Sequence, residues 1–198
     1  VVVAASAGNA GDQSYIVGSP SVSDSAISVA SSTTGLQTLP YLTYFDNADE
    51  KIIPYTTSYN AFESTITADL VDVTDFDPTS ELCTISGLVG DELEGKIALI
   101  SRGTCSFFEK INNAEDLGAV AAIIRNNQAG TIAMDTTGST LPAGSILQSD
   151  GLLLKSLAPI EISIGPDARV GTFPGEGPDT ISSFSSRGPR GFDSKLKP

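Results

Sequence analysis

The stretch GKIALISRGTCSFFEKINNAEDLGAVAAIIRNN, residues 95–127, decides the fold of this chain. Residues 96–101 are apolar through the centre, which predicts a strand buried on both faces. Ser106 and Glu109 have the spacing of a capping box, in which a hydroxyl and a carboxylate satisfy free N–H groups at a helix start. Apolar residues at helical spacing continue to Gly118, which favours a helix end there. Since a second apolar run follows, the stretch predicts a compact βαβ unit.

The bulk composition favours a globular chain and excludes two classes of partner. The chain has 198 residues, with 11 Lys and Arg against 24 Asp and Glu, and a net charge of −13. Nucleic acid and anionic membrane surfaces would repel this charge, so neither is predicted as a partner. The apolar runs are short, which predicts no membrane span. The length allows one domain, or one domain plus pieces of another.

Two cysteines, Cys83 and Cys105, leave two interpretations open. Neither lies in a C-x-x-C motif, and the chain has no histidine, so no zinc site is predicted. A disulfide between them would stabilise the chain by about 3 kcal/mol in the chain-entropy model. The alternative is a pair of buried free thiols. We favour the disulfide because Cys105 lies in a polar turn beside a helix start.

The absence of histidine also limits the chemistry of the chain. It removes the Ser-His and Cys-His arrangements that activate a nucleophile, and the commonest general base. An acidic run, Asp69, Asp72, Asp75 and Asp77, offers the oxygen ligands that calcium needs, but it lacks the D-x-D-x-D-G pattern. A solvated acidic edge is therefore favoured, and no metal site or cofactor is predicted in the chain.

Further elements follow from local patterns. Strands are predicted at 1–6, 26–32, 65–69, 70–73, 132–134, 145–147, 160–164 and 181–184. Ser149 and Asp150 indicate the start of a second short helix that ends near Leu157. Residues 165–178 are rich in glycine and proline, which is typical of a linker or loop.

The middle of the chain resembles the protease-associated (PA) domain. The matching positions, in order, are Cys83, Leu93, residues 95–100, Arg102, Gly103, Cys105, Phe107, Lys110, Asn113, Ala114, Gly118, Ala119, Ile123, Ile124, Asn126 and Asn127. The resemblance implies an α+β fold: an open, barrel-like β-sheet with short flanking helices, and a bridge between the two cysteines.

Both ends of the chain resemble subtilisin-like serine proteases. Residues 2–11, VVAASAGNAG, resemble the segment that forms one wall of the P1 pocket and ends in the oxyanion-hole asparagine. Residues 182–189, SSFSSRGP, followed by Leu196, Lys197 and Pro198, resemble the approach to the serine nucleophile. The resemblance implies that Ser6, Ala7 and Gly8 contact substrate and that Asn9 donates to the oxyanion. Read alone, Ala-Gly-Asn-Ala-Gly is more often a plain turn, and only the matching C-terminal segment favours the catalytic role.

The two resemblances together predict a domain order. Residues 1–34 are expected to be a segment of the catalytic domain, 35–170 the inserted PA domain with its lead-in, and 171–198 the segment that precedes the nucleophile. No serine has the G-T-S-x-A context of the nucleophile, so no triad residue is assigned. The chain opens on a strand-like run and stops at Pro198 without an ending signal, so we expect a piece of a longer protein. Alone, it is expected to cleave no peptide.

The function expected from the resemblance is that of a segment of a secreted serine endopeptidase. Its partners would be protein or peptide substrates and the rest of the catalytic domain, and calcium is left open for the parent enzyme. The PA domain would bind protein or control access to the active site. Unpaired strands at 1–6 and 26–32 are expected to pair with each other, form a homodimer or fray.

Two alternative functions belong to other classes of protein. One is a PA module of a receptor or sorting protein without chemistry, which would have no reason to carry the protease-like ends. The other is a Ser-Lys hydrolase using Lys96 or Lys110, but both lysines match ordinary PA positions and are interpreted as solvated surface charges.

Overall fold

The computed structural model describes residues 1–11, 13–32, 37–171, 181–182, 185–189 and 193. The chain divides into two compact units. The terminal unit comprises Val1–Gln37 and Val170–Pro198, and the central unit comprises Thr38–Arg169. Compactness alone does not identify a domain, so the assignment of residues 1–34 and 171–198 to a catalytic domain stays a prediction.

In its described residues, the terminal unit contains two short strands, β1 (Val3–Ser6) and β2 (Ala26–Val29). They pair in parallel from Val3↔Ala26 to Ser6↔Val29. Both are shorter than predicted, but they do pair with each other, which was one of the three expected outcomes; a homodimer stays a prediction. Ser32 forms an isolated antiparallel bridge with Ile181. The predicted strand 181–184 is described only in part, because residues 183–184 lie outside the described residues.

The central unit is mostly β-sheet with few helices. Its elements, in chain order, are β3 (Gln37–Asp46), β4 (Asp49–Pro54), β5 (Thr56–Thr57), β6 (Ile66–Asp72), a 3-10 turn (Val73–Asp75), β7 (Ile97–Ser101), α1 (Phe107–Asp116), β8 (Ala121–Arg125), β9 (Ala143–Ile146), α2 (Gln148–Leu157) and β10 (Ile160–Gly171). Among the described residues, no helix is long and apolar enough to cross a membrane.

Eight strands form one mixed sheet in the order β4-β3-β10-β6-β7-β8-β9-β5. The neighbours β6, β7, β8 and β9 run parallel, whereas the described pairs β3–β4, β6–β10 and β5–β9 are antiparallel. The prediction of a barrel-like sheet needs correction, since no pairing among the described residues joins the two edge strands. These edges, β4 and β5, are nevertheless separated in the chain by Tyr55 alone. The sheet must therefore curl to bring its two edges close together. At this point the Tyr55 hydroxyl donates to the carbonyl of Gly165 in β10 at 2.8 Å.

The predicted βαβ unit is confirmed as β7, α1 and β8. All five residues of β7 are buried, as expected for a strand covered on both faces. The capping box is present: the Glu109 N–H donates to the Ser106 hydroxyl at 3.2 Å, and the Ser106 N–H donates to the Glu109 carboxylate at 2.9 Å. Gly118 has the predicted left-handed conformation at φ +88°.

The core lies on both faces of the sheet. Alternate residues of β7 point to opposite sides, so Ile97 and Leu99 join one cluster and Ala98 and Ile100 join the other. Helix α2 covers the first cluster through Leu154, and α1 covers the second with Ile111 and Ala114, joined by Leu117 directly after the helix.

Several predicted elements differ from the structure. Helix α2 begins after Leu147, and no side chain caps it, so the predicted start at Ser149 and Asp150 was two residues late. Residues 132–134 form no strand. Strand β10 continues to Gly171, so the predicted loop from Gly165 is strand in its first part, and residues 172–178 lie outside the described residues.

The β3–β4 hairpin was not predicted. A two-residue turn joins the strands, and both of its residues have positive φ: Asn47 at 49° and Ala48 at 72°. This backbone suits the twist of a hairpin, but it normally takes Asn-Gly or Asp-Gly. Because Ala48 stands where glycine is usual, the sequence lacks the common signal for a hairpin turn.

Candidate functional site

The predicted substrate segment begins at Ser6, the last residue of β1, and continues through Ala7 and Gly8. The Ala7 N–H donates to the Val29 carbonyl at 2.9 Å, and the Ala7 carbonyl accepts from the Gly18 N–H at 3.0 Å. Ala7 is therefore almost fully buried, at 1% exposure. Ser6 is exposed and lines a shallow groove of about 400 Å³ along β1 and β2. The segment thus offers Ser6 to solvent, whereas the Ala7 side chain is packed inside.

Gly8 occupies a position that only glycine fits well. Its φ is +110°, and a Cβ built on it would lie 2.9 Å from the Ser186 hydroxyl oxygen. A larger residue would therefore suffer both backbone strain and a close contact.

Ser186 holds the backbone on both sides of Asn9. The Ser186 N–H donates to the Gly8 carbonyl at 2.9 Å, and the Ala10 N–H donates to the Ser186 hydroxyl at 3.1 Å. Ser186 is 1% exposed, whereas Asn9 is exposed. The backbone on either side of Asn9 is thus fixed, while the residue itself is exposed. Sequence reasoning found Asn9 but gave no role to Ser186, since the two lie far apart in the chain.

Two further serines connect the two terminal stretches of the chain. The Ser182 N–H donates to the Ser31 carbonyl at 2.9 Å, and the Ser31 N–H donates to the Ser185 hydroxyl at 3.0 Å. The structure therefore brings the two predicted segments together, as far as they are described. Residues 183–184 and 194–198 of the predicted nucleophile approach lie outside the described residues.

A second polar cluster surrounds the disulfide of the central unit. Cys83 and Cys105 are bonded to each other, which confirms the predicted bridge. Beside them, the Lys110 ammonium donates to the Glu81 carbonyl at 2.7 Å and lies 3.8 Å from the Glu81 carboxylate. The Lys110 side chain has 0% exposure, so its interpretation as a solvated surface charge was wrong. Burial lowers the pKa of Lys110, although the nearby carboxylates of Glu81 and Asp77 oppose the shift.

Glu81 connects this lysine to the turn before α1. Its carboxylate accepts from the Thr104 N–H at 2.7 Å and from the Thr104 hydroxyl at 2.8 Å. These bonds, led by the Thr104 N–H, hold the pKa of Glu81 below its usual value. Gly103 makes room for the approach, because a Cβ there would lie 1.9 Å from the Glu81 carboxyl carbon. The proximity of Glu81 to both sulfurs does not make a metal site, since disulfide sulfurs are not thiolate ligands.

The acidic run also differs from the predicted solvated edge. Asp72 is 4% exposed and lies 3.3 Å from the Lys155 ammonium. Asp77 accepts from the N–H groups of Thr79 at 3.0 Å and Leu82 at 2.6 Å. Two of the four aspartates thus hold the chain in place, while Asp69 and Asp75 are exposed.

The central unit has an open groove that the sequence did not reveal. The loop 59–64, between β5 and β6, forms one side, Thr140 and Pro142 lie on the other, and Ile66 also lines it; we call this the loop groove. Its cavity volume is about 580 Å³. Residues from distant parts of the chain build it, so no local pattern marked it.

The sequence of the central unit matches a known family. Residues 66–154 match the family model described as "PA domain", and this match includes the βαβ unit and the disulfide.

Relatives extend the similarity beyond this domain. The chain is 29% identical to the "Minor extracellular protease Vpr" of Bacillus subtilis, over 96% of this chain and 22% of that protein. It is 31% identical to the "C5a peptidase" of Streptococcus pyogenes, over 92% of this chain and 15% of that protein. It is 40% identical to the "Leucine aminopeptidase 2" of Trichophyton equinum, over 34% of this chain and 14% of that protein. The chain therefore spans less than a quarter of each of these relatives.

Proposed function

Because residues 66–154 of this chain are a PA domain, we propose that the chain is a segment of a secreted subtilisin-like serine endopeptidase. Residues 1–34 and 171–198 would belong to the catalytic domain, and the PA domain would be inserted between them. The parent enzyme would hydrolyse peptide bonds with an aspartate, a histidine and a serine supplied by other segments. This chain would contribute the oxyanion donor and part of the substrate cleft.

The observation that carries the proposal is the geometry around Asn9. An oxyanion-hole donor must be uncharged, fixed in position and open to the reacting carbonyl. The Asn9 amide is uncharged and exposed, and Ser186 holds the residues on either side of it. Such a donor needs little reorganisation when negative charge develops on the substrate oxygen.

The extent of the alignments supports the same proposal. Matches over 96% and 92% of the chain extend well beyond residues 66–154 and into the terminal unit. A receptor or sorting module would need only the PA domain. The aminopeptidase match covers 34% of the chain, so it adds support for the PA domain rather than for a second activity.

Secretion and the role of the PA domain complete the proposal. A structural disulfide is typical of proteins in oxidising compartments, and one relative is described as an extracellular protease. The PA domain would hold protein substrate or limit access to the catalytic cleft. Ser6 and Gly8 would contact the substrate, and the buried Ala7 would support them from inside.

The test replaces Asn9 by alanine in the full parent enzyme. We expect kcat to fall about a hundred- to a thousandfold with little change in KM, as the loss of one oxyanion-hole donor does. Asn127→Ala, at an exposed asparagine of the PA domain, is the matched control and should leave both constants unchanged. A parent enzyme whose kcat is the same with and without Asn9 would overturn the proposed role.

A further inference from the structure

The loop groove is held open by hydrogen bonds from the loop to the chain around Thr136–Ala143. The Tyr59 N–H donates to the Thr136 hydroxyl at 3.1 Å, and the Ala143 N–H donates to the Asn60 carbonyl at 3.2 Å. The Asn60 side-chain amide also donates to the Ser139 carbonyl. These bonds fix the loop to the opposite side of the groove, whose volume of about 580 Å³ is in the range of ligand sites.

The lining combines a buried aromatic base with an exposed aromatic wall. Phe62 is 4% exposed and packs edge-on against Tyr55, with 5.5 Å between the ring centroids. Tyr59 is 75% exposed, which is unusual for a large aromatic side chain. Ile66 and Pro142 add apolar surface. An aliphatic or aromatic side chain of a partner would therefore find apolar contact here.

The charge of the groove is acidic. Among the described residues that line it, Glu63 is the only charged one, and it is exposed. Thr140, also in the lining, donates its hydroxyl to Glu115, so a second carboxylate lies beside the rim. The surrounding unit strengthens this field: residues 38–169 contain seven Lys and Arg against nineteen Asp and Glu, and one of the seven, Lys110, is fully buried.

We propose that the loop groove binds an extended, arginine- or lysine-containing segment of a protein. The aliphatic stem of the basic side chain would cover Ile66 and Pro142, and its cationic group would lie between the Glu63 carboxylate and the Tyr59 ring. A cation over an aromatic face and a carboxylate pair are both favourable, and the acidic unit would speed the encounter. The identification of this segment as part of a protease substrate rests on the proposed function. The binding itself does not depend on that function.

The test measures binding by fluorescence anisotropy on the chain of residues 1–198. The probe is a labelled Gly-Ser peptide with several arginines. The control is the same peptide with citrulline at each arginine, which keeps the shape but removes the charge. We expect the arginine peptide to bind, the citrulline peptide to bind much more weakly, and affinity to fall as salt rises from about 0.05 M to about 0.5 M.

Substitutions locate the binding. Glu63→Gln and Tyr59→Ala should each weaken binding about two- to fivefold, the range for one exposed ion pair or one exposed cation–π contact. Glu161→Gln removes an equal charge from an exposed site on β10, outside the groove lining, and should leave the affinity unchanged. Thermal unfolding of each variant checks that the fold is intact.

Three outcomes would overturn the proposal. The first is no binding of the arginine peptide. The second is an equal effect of Glu63→Gln and Glu161→Gln, which would indicate attraction by the whole acidic surface. The third is free arginine amide binding as tightly as the peptide, which would indicate a small cation as the ligand. These results are independent of the Asn9→Ala experiment on the parent enzyme, so either proposal can fail alone.

Discussion

Replacing Lys110 separates the contribution of its charge from that of its volume. In Lys110→Met the apolar stem is largely kept but the ammonium is lost, so the Glu81 carbonyl loses a bond of 2.7 Å. An unsatisfied buried acceptor costs about 1–3 kcal/mol. Part of this cost is offset. The wild-type lysine must lose its hydration to be buried without solvent exposure, whereas methionine carries no charge to desolvate. We therefore expect Lys110→Met to lower the free energy of unfolding by about 1–2 kcal/mol.

Lys110→Ala removes the stem as well. The site has no solvent exposure, so the lost volume leaves a cavity beside the disulfide. Truncation of a large buried side chain to alanine costs about 2–5 kcal/mol, and we expect about 3–4 kcal/mol here. Lys51→Ala is the control: its side chain is 44% exposed and only approaches Asp49 at 3.6 Å, so the change should stay within about 0.5 kcal/mol.

Urea unfolding of the oxidised chain, followed by far-ultraviolet circular dichroism, measures all three variants. The urea concentration at the midpoint should be highest for Lys51→Ala, lower for Lys110→Met and lowest for Lys110→Ala. The dependence of the unfolding free energy on urea concentration should be similar for all three. If Lys110→Ala unfolds at the same urea concentration as Lys51→Ala, the ammonium is not buried in solution. If the methionine variant is as unstable as the alanine variant, the cavity contributes nothing and the reasoning about volume is wrong.

Two further predictions concern the same region. Cys83→Ser with Cys105→Ser should lower the free energy of unfolding by about 3 kcal/mol, and mass spectrometry without reductant should show the untreated chain two hydrogens lighter than the dithiol; two alkylatable thiols in oxidised protein would contradict the bridge. For Asp77, burial raises the pKa, but hydrogen bonds from Thr79 and Leu82 outweigh it and hold the pKa below its ordinary value. The folded state then binds fewer protons than the unfolded state in acid, so the stabilisation is full above about pH 4 and is lost as pH falls through the folded pKa. Asp77→Asn should therefore flatten the acid side of a stability–pH curve, and an unchanged acid slope would rule out this titration.

Local signals predicted the centre of the fold well. The capping box at Ser106 and Glu109 and the apolar runs on either side of α1 act over a few residues, so the βαβ unit could be derived from the sequence. The β3–β4 hairpin was missed because Ala48 adopts a conformation that alanine seldom takes. Strand β10 was cut short because glycine and proline at its end favour a loop by composition, while pairing within the sheet maintains the strand.

The polar sites depend on contacts between distant residues. Lys110 lies on a helix that is amphipathic by sequence, and its buried ammonium contacts Glu81 and Cys83, which lie far from it in the chain. The loop groove joins residues 59–64 to Thr140 and Pro142, and Ser186 reaches the backbone beside Asn9 from the other end of the chain. Resemblance to known families pointed to Asn9 and the cysteines, but neither resemblance nor periodicity could locate the groove.

The order of strands in the sheet has a consequence for how such a unit can be carried by another fold. The first and last strands of the central unit, β3 and β10, are neighbours, and Arg169 lies 4.5 Å from the centre of the Tyr41 ring. The chain therefore leaves this unit close to where it enters. In the proposed parent enzyme, the whole unit would be equivalent to a short connection, because its own folding brings the two ends together and little closure entropy would remain to be lost. An insertion whose two ends already lie close together can be long without opening the structure on either side.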